Sequence, residues 1–139
     1  KVDAAKERLA ALNNKIELVP INNEISEDTA LDLNGCDIII DCLDNFKARH
    51  ILNNISLEMK IPMIHAGVTE FYSQVTVLNP GETPCLSCFI QENTGASGKG
   101  IVGAMAGITG SIQALEAIKY ITGTGELLLN KILTKNQVK

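Results

Sequence analysis

Two aspartates follow a short run of isoleucines near the middle of the chain. Residues 38–40 are all isoleucine, Asp41 comes next, and Asp44 lies three residues further on. An unbroken β-branched run predicts a strand that is covered on both faces, as in a parallel sheet. Because ligands of open α/β sheets bind at the carboxyl ends of the strands, Asp44 is a candidate Mg²⁺ ligand. The alternative is that Asp44 only caps the helix that follows.

A second group of candidate ligands is Pro84-Cys85-Leu86-Ser87-Cys88. Two cysteines at this spacing can bind one metal ion, but a tetrahedral zinc site needs two further ligands. Structural zinc with partners elsewhere, unpaired structural thiols and redox chemistry all remain open for this pair. The other two cysteines, Cys36 and Cys42, flank the isoleucine strand, and we expect them to be reduced, buried and inert.

The segment 95–100, Gly-Ala-Ser-Gly-Lys-Gly, lacks the spacing of a phosphate-binding loop, since only two residues separate its first two glycines. We predict a loop that leads into a long helix and folds over the site as a lid. His50 and His65 have no carboxylate or cysteine at ligand spacing in their own segments, so we expect structural roles for both.

Helices and strands must alternate to position these residues. Helical spacing predicts helices over residues 1–13, 24–34 and 46–59, and apolar runs predict strands over 16–20, the isoleucine run and 61–67. This order predicts parallel strands with right-handed crossovers. After them we expect a strand over 71–79, a long helix over 101–122 and a final strand within 127–134.

Composition limits the class of protein. The 139 residues fit one domain, and 45% hydrophobic and 20% charged residues are ordinary values for a globular protein. A net charge of −4 argues against nucleic acid as a partner. Charges within the long helix argue against a membrane span, and the lack of a signal peptide predicts a cytoplasmic protein. Because the chain opens with lysine rather than methionine, we expect a piece of a longer protein.

Five segments closely resemble, in order, the motifs of the ThiF/MoeB/HesA family, the bacterial and archaeal relatives of ubiquitin-activating enzymes. They span nearly the whole chain and read Lys1-Val2-Asp3-Ala4-Ala5, Asp41-Cys42-Leu43-Asp44-Asn45-Phe46-Lys47-Ala48-Arg49, Gln74-Val75-Thr76-Val77, Pro84-Cys85-Leu86-Ser87-Cys88 and Gly107-Ile108-Thr109-Gly110-Ser111-Ile112-Gln113-Ala114-Leu115-Glu116-Ala117-Ile118-Lys119. The resemblance implies a Rossmann-like α/β fold, in which a mostly parallel sheet with flanking helices is extended by antiparallel strands.

The same resemblance implies an ATP-dependent adenylyltransferase, a nucleotidyltransferase. With ATP and Mg²⁺ it would activate the C-terminal Gly-Gly carboxylate of a small ubiquitin-fold sulfur carrier protein, ThiS/MoaD-like, in thiamine or molybdopterin biosynthesis. By position, Asp44 resembles the catalytic carboxylate that binds Mg²⁺ and ATP, and Asn45 lies beside it in the nucleotide site. Lys1 matches the lysine that approaches the ATP phosphates. Cys85 and Cys88 match the first pair of a structural Cys₄ zinc site, and a homodimer is implied.

Several motifs of the family have no counterpart in these residues. Its nucleotide glycine loop, ribose-binding acid and Asn-x-x-Arg segment lie upstream of the position of Lys1, and its second Cys-x-x-Cys pair lies downstream of the last strand. The resemblance therefore implies that residues 1–139 are one partial adenylation domain, truncated at both ends and inactive alone. Segment 95–99 contains no cysteine, which favours an enzyme that stops at the adenylate.

Two other functions remain open. One is a non-catalytic homologue that serves as a carrier-binding or dimerisation scaffold, and the paired Asp44 and Asn45 favour an enzyme over this alternative. The other is a branch of the family that activates a different carboxylate, such as that of a peptide or a modified tRNA base.

Overall fold

The computed structural model describes residues 1–90 and 100–136. Four helices, four strands and one 3₁₀ turn occur in these residues. In chain order they are α1 (Val2–Leu12), α2 (Thr29–Asp32), β1 (Ile39–Asp41), α3 (Phe46–Met59), β2 (Met63–Thr69), β3 (Tyr72–Leu78), the 3₁₀ turn Leu86–Cys88, α4 (Gly103–Thr122) and β4 (Leu133–Asn136).

The strands form one mixed sheet in the order β1-β2-β3-β4. The β1–β2 pair is parallel, with Asp41 opposite His65, and the pairs β2–β3 and β3–β4 are antiparallel. The predicted α/β class, with flanking helices and added antiparallel strands, is confirmed. Because Asp41 ends β1, the carboxyl end of the parallel pair lies where the sequence placed the candidate site.

Helices α3 and α4 cover opposite faces of the sheet. Strand residues alternate between the faces, so neighbours such as Met63 and Ile64 contribute to different cores. The core under α3 contains Ile39, Leu52, Ile61, Met63, Leu78 and Leu86. The core under α4 contains Ile64, Ala66, Val75, Val77 and Ala117. The site at the end of β1 thus receives side chains from both layers.

Two predictions for the first third of the chain are wrong. No strand is present at 16–20 within the described residues, and the helix expected over 24–34 is reduced to α2. A strand is stable only when a neighbour satisfies its backbone, and in the described chain none lies beside this segment. Ile16 and Val19 are accordingly exposed.

Within residues 1–90 and 100–136, the isoleucine strand is an edge strand rather than a strand covered on both faces. Ile39 is buried under α3, whereas Ile40 points to the other face and is 43% exposed. Cys36 and Cys42 are exposed as well, so the expectation that both are buried is wrong. The reason is that α4 packs over β2 and β3 and leaves this face of β1 open.

The predicted long helix is confirmed as α4, which ends at Gly123 with a φ of 62°. A left-handed residue of this kind is a common way to end a helix. In the described part of the chain, no helix combines the length and the apolar character that a membrane span requires.

Candidate functional site

Asp41, the last residue of β1, is completely buried and fully engaged. Its Oδ1 accepts a hydrogen bond from the backbone N–H of Leu43 at 3.0 Å. Its Oδ2 lies 2.7 Å from Nδ1 of His65 and 3.8 Å from Nε of Arg49. A buried carboxylate is tolerated only when it is paired and hydrogen-bonded, and Asp41 meets both conditions. Asp41 is therefore a structural carboxylate that shapes the turn after β1.

Arg49 of α3 holds the same turn at the backbone carbonyl of Leu43. Both its Nε, at 3.1 Å, and its Nη2 donate to the carbonyl oxygen of Leu43. The planar guanidinium can direct two donors to one point, which a lysine cannot do. The peptide immediately before Asp44 is thereby fixed to α3.

Asp44 itself is exposed, and it does not cap α3. The N-cap is Asn45, whose Oδ1 accepts from the backbone N–H of Ala48 at 2.8 Å. The side-chain amide of Asn45 also donates to Oδ1 of Asp44 at 3.3 Å. The alternative that Asp44 only caps the helix is therefore wrong. Its carboxylate is held beside the start of α3 and faces solvent, which suits a ligand of Mg²⁺.

A cleft of about 680 Å³ lies beside this turn. It is bounded on one side by residues 23–28 and on the other by the start of α3, including Asn45, Lys47 and Ile51. Its lining residues include Glu24, Glu27 and Asp28 but not Asp44. Of the sequence-predicted site residues, Asn45 lines it directly.

Lys1 is not brought into this cluster. It is the exposed N-cap of α1, a helix without a buried residue. Within the described residues, no hydrogen bond or ion pair links its side chain to Asp44 or Asn45. Its proximity to bound phosphates therefore stays a prediction from the resemblance.

The cysteine turn, residues 85–88, forms a second potential site. Its two sulfur atoms lie 3.6 Å apart. Asn53 of α3 accepts from the backbone N–H of Leu86 at 2.9 Å, and Nδ1 of His50 lies 3.1 Å from Oγ of Ser87. The turn is thus fixed to the middle of α3, the helix that begins at Asn45.

The hydrogen bonds of the cysteine turn lower the pKa of one of its two thiols. Burial raises the pKa of Cys85, but the hydrogen bonds from Cys88 and from the backbone N–H of Ser87 outweigh it, so this pKa lies below the ordinary value. The thiolate is the form that binds metals. Within 1–90 and 100–136, however, no three His, Cys, Asp or Glu side chains converge as a metal site would require. The zinc prediction therefore has two of its four ligands here.

The sequence did not identify the partners of the turn after β1. The predicted structural role of His65 consists of its contact with the buried carboxylate of Asp41. Arg49 and Gln113 were recognised only as parts of motifs. No local sequence signal marks the contact of Asp41 with His65, because it depends on the register of the parallel pair. The predicted lid falls mainly on residues 95–99, which lie outside the described residues.

Comparisons with known proteins agree with this arrangement. The ThiF family model matches residues 1–139. The chain is 36% identical to the heterocyst protein HesA of Trichormus variabilis, covering 96% of this chain and 51% of that protein. It is 33% identical to the adenylyltransferase and sulfurtransferase MOCS3 of Culex quinquefasciatus, covering 96% of this chain and 32% of the relative. The chain thus spans about half or less of the length of these relatives.

Solved structures show the same fold. The crystal structure of E. coli MccB with ATP superimposes with a TM-score of 0.78 at 20% identity, over 99% of this chain and 47% of that one. PaaA superimposes with a TM-score of 0.74 at 21% identity, over 98% and 44%. At such identities the likeness establishes the fold alone.

Proposed function

The chain belongs to the ThiF family, and from that premise we propose that the full-length protein is an ATP-dependent adenylyltransferase. Its substrate would be the C-terminal Gly-Gly carboxylate of a small ubiquitin-fold sulfur carrier, ThiS/MoaD-like, in a thiamine- or molybdopterin-type pathway. The observation that carries the proposal is the exposed carboxylate of Asp44, just beyond the carboxyl end of β1. Asn45 takes over the cap, and Asp41 and Arg49 fix the backbone, so Asp44 is available to a ligand.

Asp44 and Asn45 would form the nucleotide side of the site, with the cleft beside them. Mg²⁺ typically uses one or two protein carboxylates and completes its coordination with water and substrate phosphates, so a single exposed aspartate suffices. When bound, the ion would offset the negative charge that accumulates as a carboxylate attacks the α-phosphate of ATP. Lys1 is proposed to add a positive charge beside the phosphates.

The cysteine turn is proposed to contribute half of a structural zinc site. At a Zn–S distance of about 2.3 Å, tetrahedral geometry places two sulfur atoms about 3.8 Å apart. The separation of 3.6 Å between Cys85 and Cys88 is close to this value without any rearrangement. The remaining two ligands would come from outside the described residues.

Three further statements belong to the same proposal. Residues 1–139 would be the central and C-terminal part of the adenylation domain, and they would be inactive alone.

A homodimer is supported by the exposed side of α4, which is apolar at Ile108, Leu115, Ile118 and Ile121. The cytoplasm is supported as the compartment because all four cysteines are free thiols.

ATP–pyrophosphate exchange by the full-length protein tests this function. We expect exchange that requires both Mg²⁺ and a carrier ending in Gly-Gly, because adenylation of the carrier carboxylate is reversible while the adenylate stays bound. A matched carrier that lacks the two glycines is the control and should support no exchange. Exchange that proceeds equally with both carriers, or with none, would contradict the proposed substrate.

A further inference from the structure

Gln113 connects α4 to both strands of the parallel pair, at the last residue of β1 and near the start of β2. It lies on the buried side of the helix, with 4% of its surface exposed. Its Nε2 donates to the carbonyl oxygen of Asp41 at 2.8 Å and to that of Ile64 at 3.1 Å. One side chain therefore spans β1 and β2 at the point where the turn toward Asp44 begins.

The orientation of this amide is determined by its partners. Carbonyl oxygens can only accept hydrogen bonds, so the nitrogen of Gln113 must face Asp41 and Ile64. Its Oε1 lies 3.7 Å from the thiol of Cys42, which donates to it. Both amide hydrogens and the oxygen are thus engaged.

We infer that Gln113 is a positioning residue for Asp44, an inference that rests on the proposed function of Asp44 as a ligand of Mg²⁺. Gln113 holds the carbonyl of Asp41 from the α4 face of the sheet. Arg49 holds the carbonyl of Leu43 from the α3 face. The backbone between these two points has little freedom, so the direction of the next residue, Asp44, is set from both layers. Partners that orient a metal ligand typically contribute roughly 10–100-fold to metal affinity or activity.

The test replaces Gln113 by methionine in the full-length protein. Methionine has a similar length and fills the same space, but it leaves the carbonyls of Asp41 and Ile64 without their donor. The matched control is Glu116→Met, one turn further along the same buried side of α4. Glu116 accepts from the backbone N–H of Leu128 and pairs with Lys119, so it supports the helix without touching the turn after β1.

Two measurements follow each variant. In ATP–pyrophosphate exchange, Gln113→Met should raise the Mg²⁺ concentration for half-maximal rate by about tenfold or more, and Glu116→Met should leave it unchanged. In hydrogen exchange, the Leu43 amide, which donates to Asp41, should exchange about tenfold faster in Gln113→Met and at the wild-type rate in Glu116→Met. Both substitutions should lower the melting temperature, so a loss of stability by itself does not distinguish a positioning role from a general structural one.

Equal Mg²⁺ requirements in Gln113→Met and wild type, or equal shifts in both variants, would overturn the inference. If Gln113→Met does not fold, Gln113→Asn serves instead, because its amide is too short to reach both strands and the same comparison applies. If the wild-type protein catalyses no exchange, the proposed function fails. Hydrogen exchange of the Leu43 amide then remains as the test of Gln113. An unchanged exchange rate in Gln113→Met would overturn its role in holding the turn.

Discussion

The turn after β1 and the cysteine turn both present potential metal ligands at the surface on a backbone held by buried polar side chains. The first turn receives His65 from β2, Arg49 from α3 and Gln113 from α4. The second is held by Asn53 and His50, both from α3. These polar contacts therefore come from three elements at the first turn and from one at the second.

The two turns also differ in what their ligands still need. A Mg²⁺ ion accepts one or two protein carboxylates and takes its other ligands from phosphates and water, so the proposed Mg²⁺ site needs no second carboxylate beside Asp44. Structural zinc requires four protein ligands, and the cysteine turn supplies two. The support of the first turn thus lies within the described residues, whereas two of the ligands proposed for the second lie outside them. This difference predicts that Asp44 governs activity and that the cysteines govern metal content.

Asp44→Ala should have the largest effect. Without the carboxylate, we expect exchange by the full-length protein to fall by about 10²–10³-fold, as when one charge-stabilising group is lost from an active site. The free energy of unfolding should change by less than about 0.5 kcal/mol, because the side chain is exposed and caps nothing. Asp44→Asn, which keeps the size but not the charge, is the control for shape. Unchanged turnover in either variant would refute the assignment.

Asp41→Ala should, in contrast, mainly lower the stability of the fold. It removes the partners of His65, Arg49 and the Leu43 N–H in a buried position, so we expect a loss of about 3 kcal/mol in the free energy of unfolding. Urea denaturation of the full-length protein measures this loss. The exposed Asp37, at the other end of β1, is the control, and Asp37→Ala should cost less than about 0.5 kcal/mol. Equal stabilities of the two variants would show that the buried network is dispensable.

Cys85→Ser combined with Cys88→Ser should have the smallest effect on catalysis. We expect the zinc content of the full-length protein to fall from about one atom per chain to near zero, because two of four ligands are lost. The exchange rate should fall much less than in Asp44→Ala, since neither cysteine belongs to the turn that carries Asp44. Elemental analysis measures the metal, and Cys36→Ser, an exposed cysteine outside the turn, should keep it. Wild-type zinc in the double variant would contradict the site.

Much of the fold follows from local patterns in the sequence. Helices α3 and α4 are confirmed close to their predicted bounds, because each carries a long periodic pattern that tertiary contacts only reinforce. The segment 16–20 shows the limit of such patterns. It has the apolar residues of a strand, but a strand exists only through a partner, which a local pattern does not reveal.

By itself, the sequence determined the family, the α/β class and the place of Asp44 at a strand end. Only the tertiary structure decided that Asp41 is buried and structural while Asp44 is exposed and does not cap α3. It also revealed the support that His65, Arg49 and Gln113 give to the turn. The physical reason is that an apolar run reports burial along one element, whereas these hydrogen bonds join residues up to 72 positions apart. Such contacts exist only after the helices have packed on both faces of the sheet.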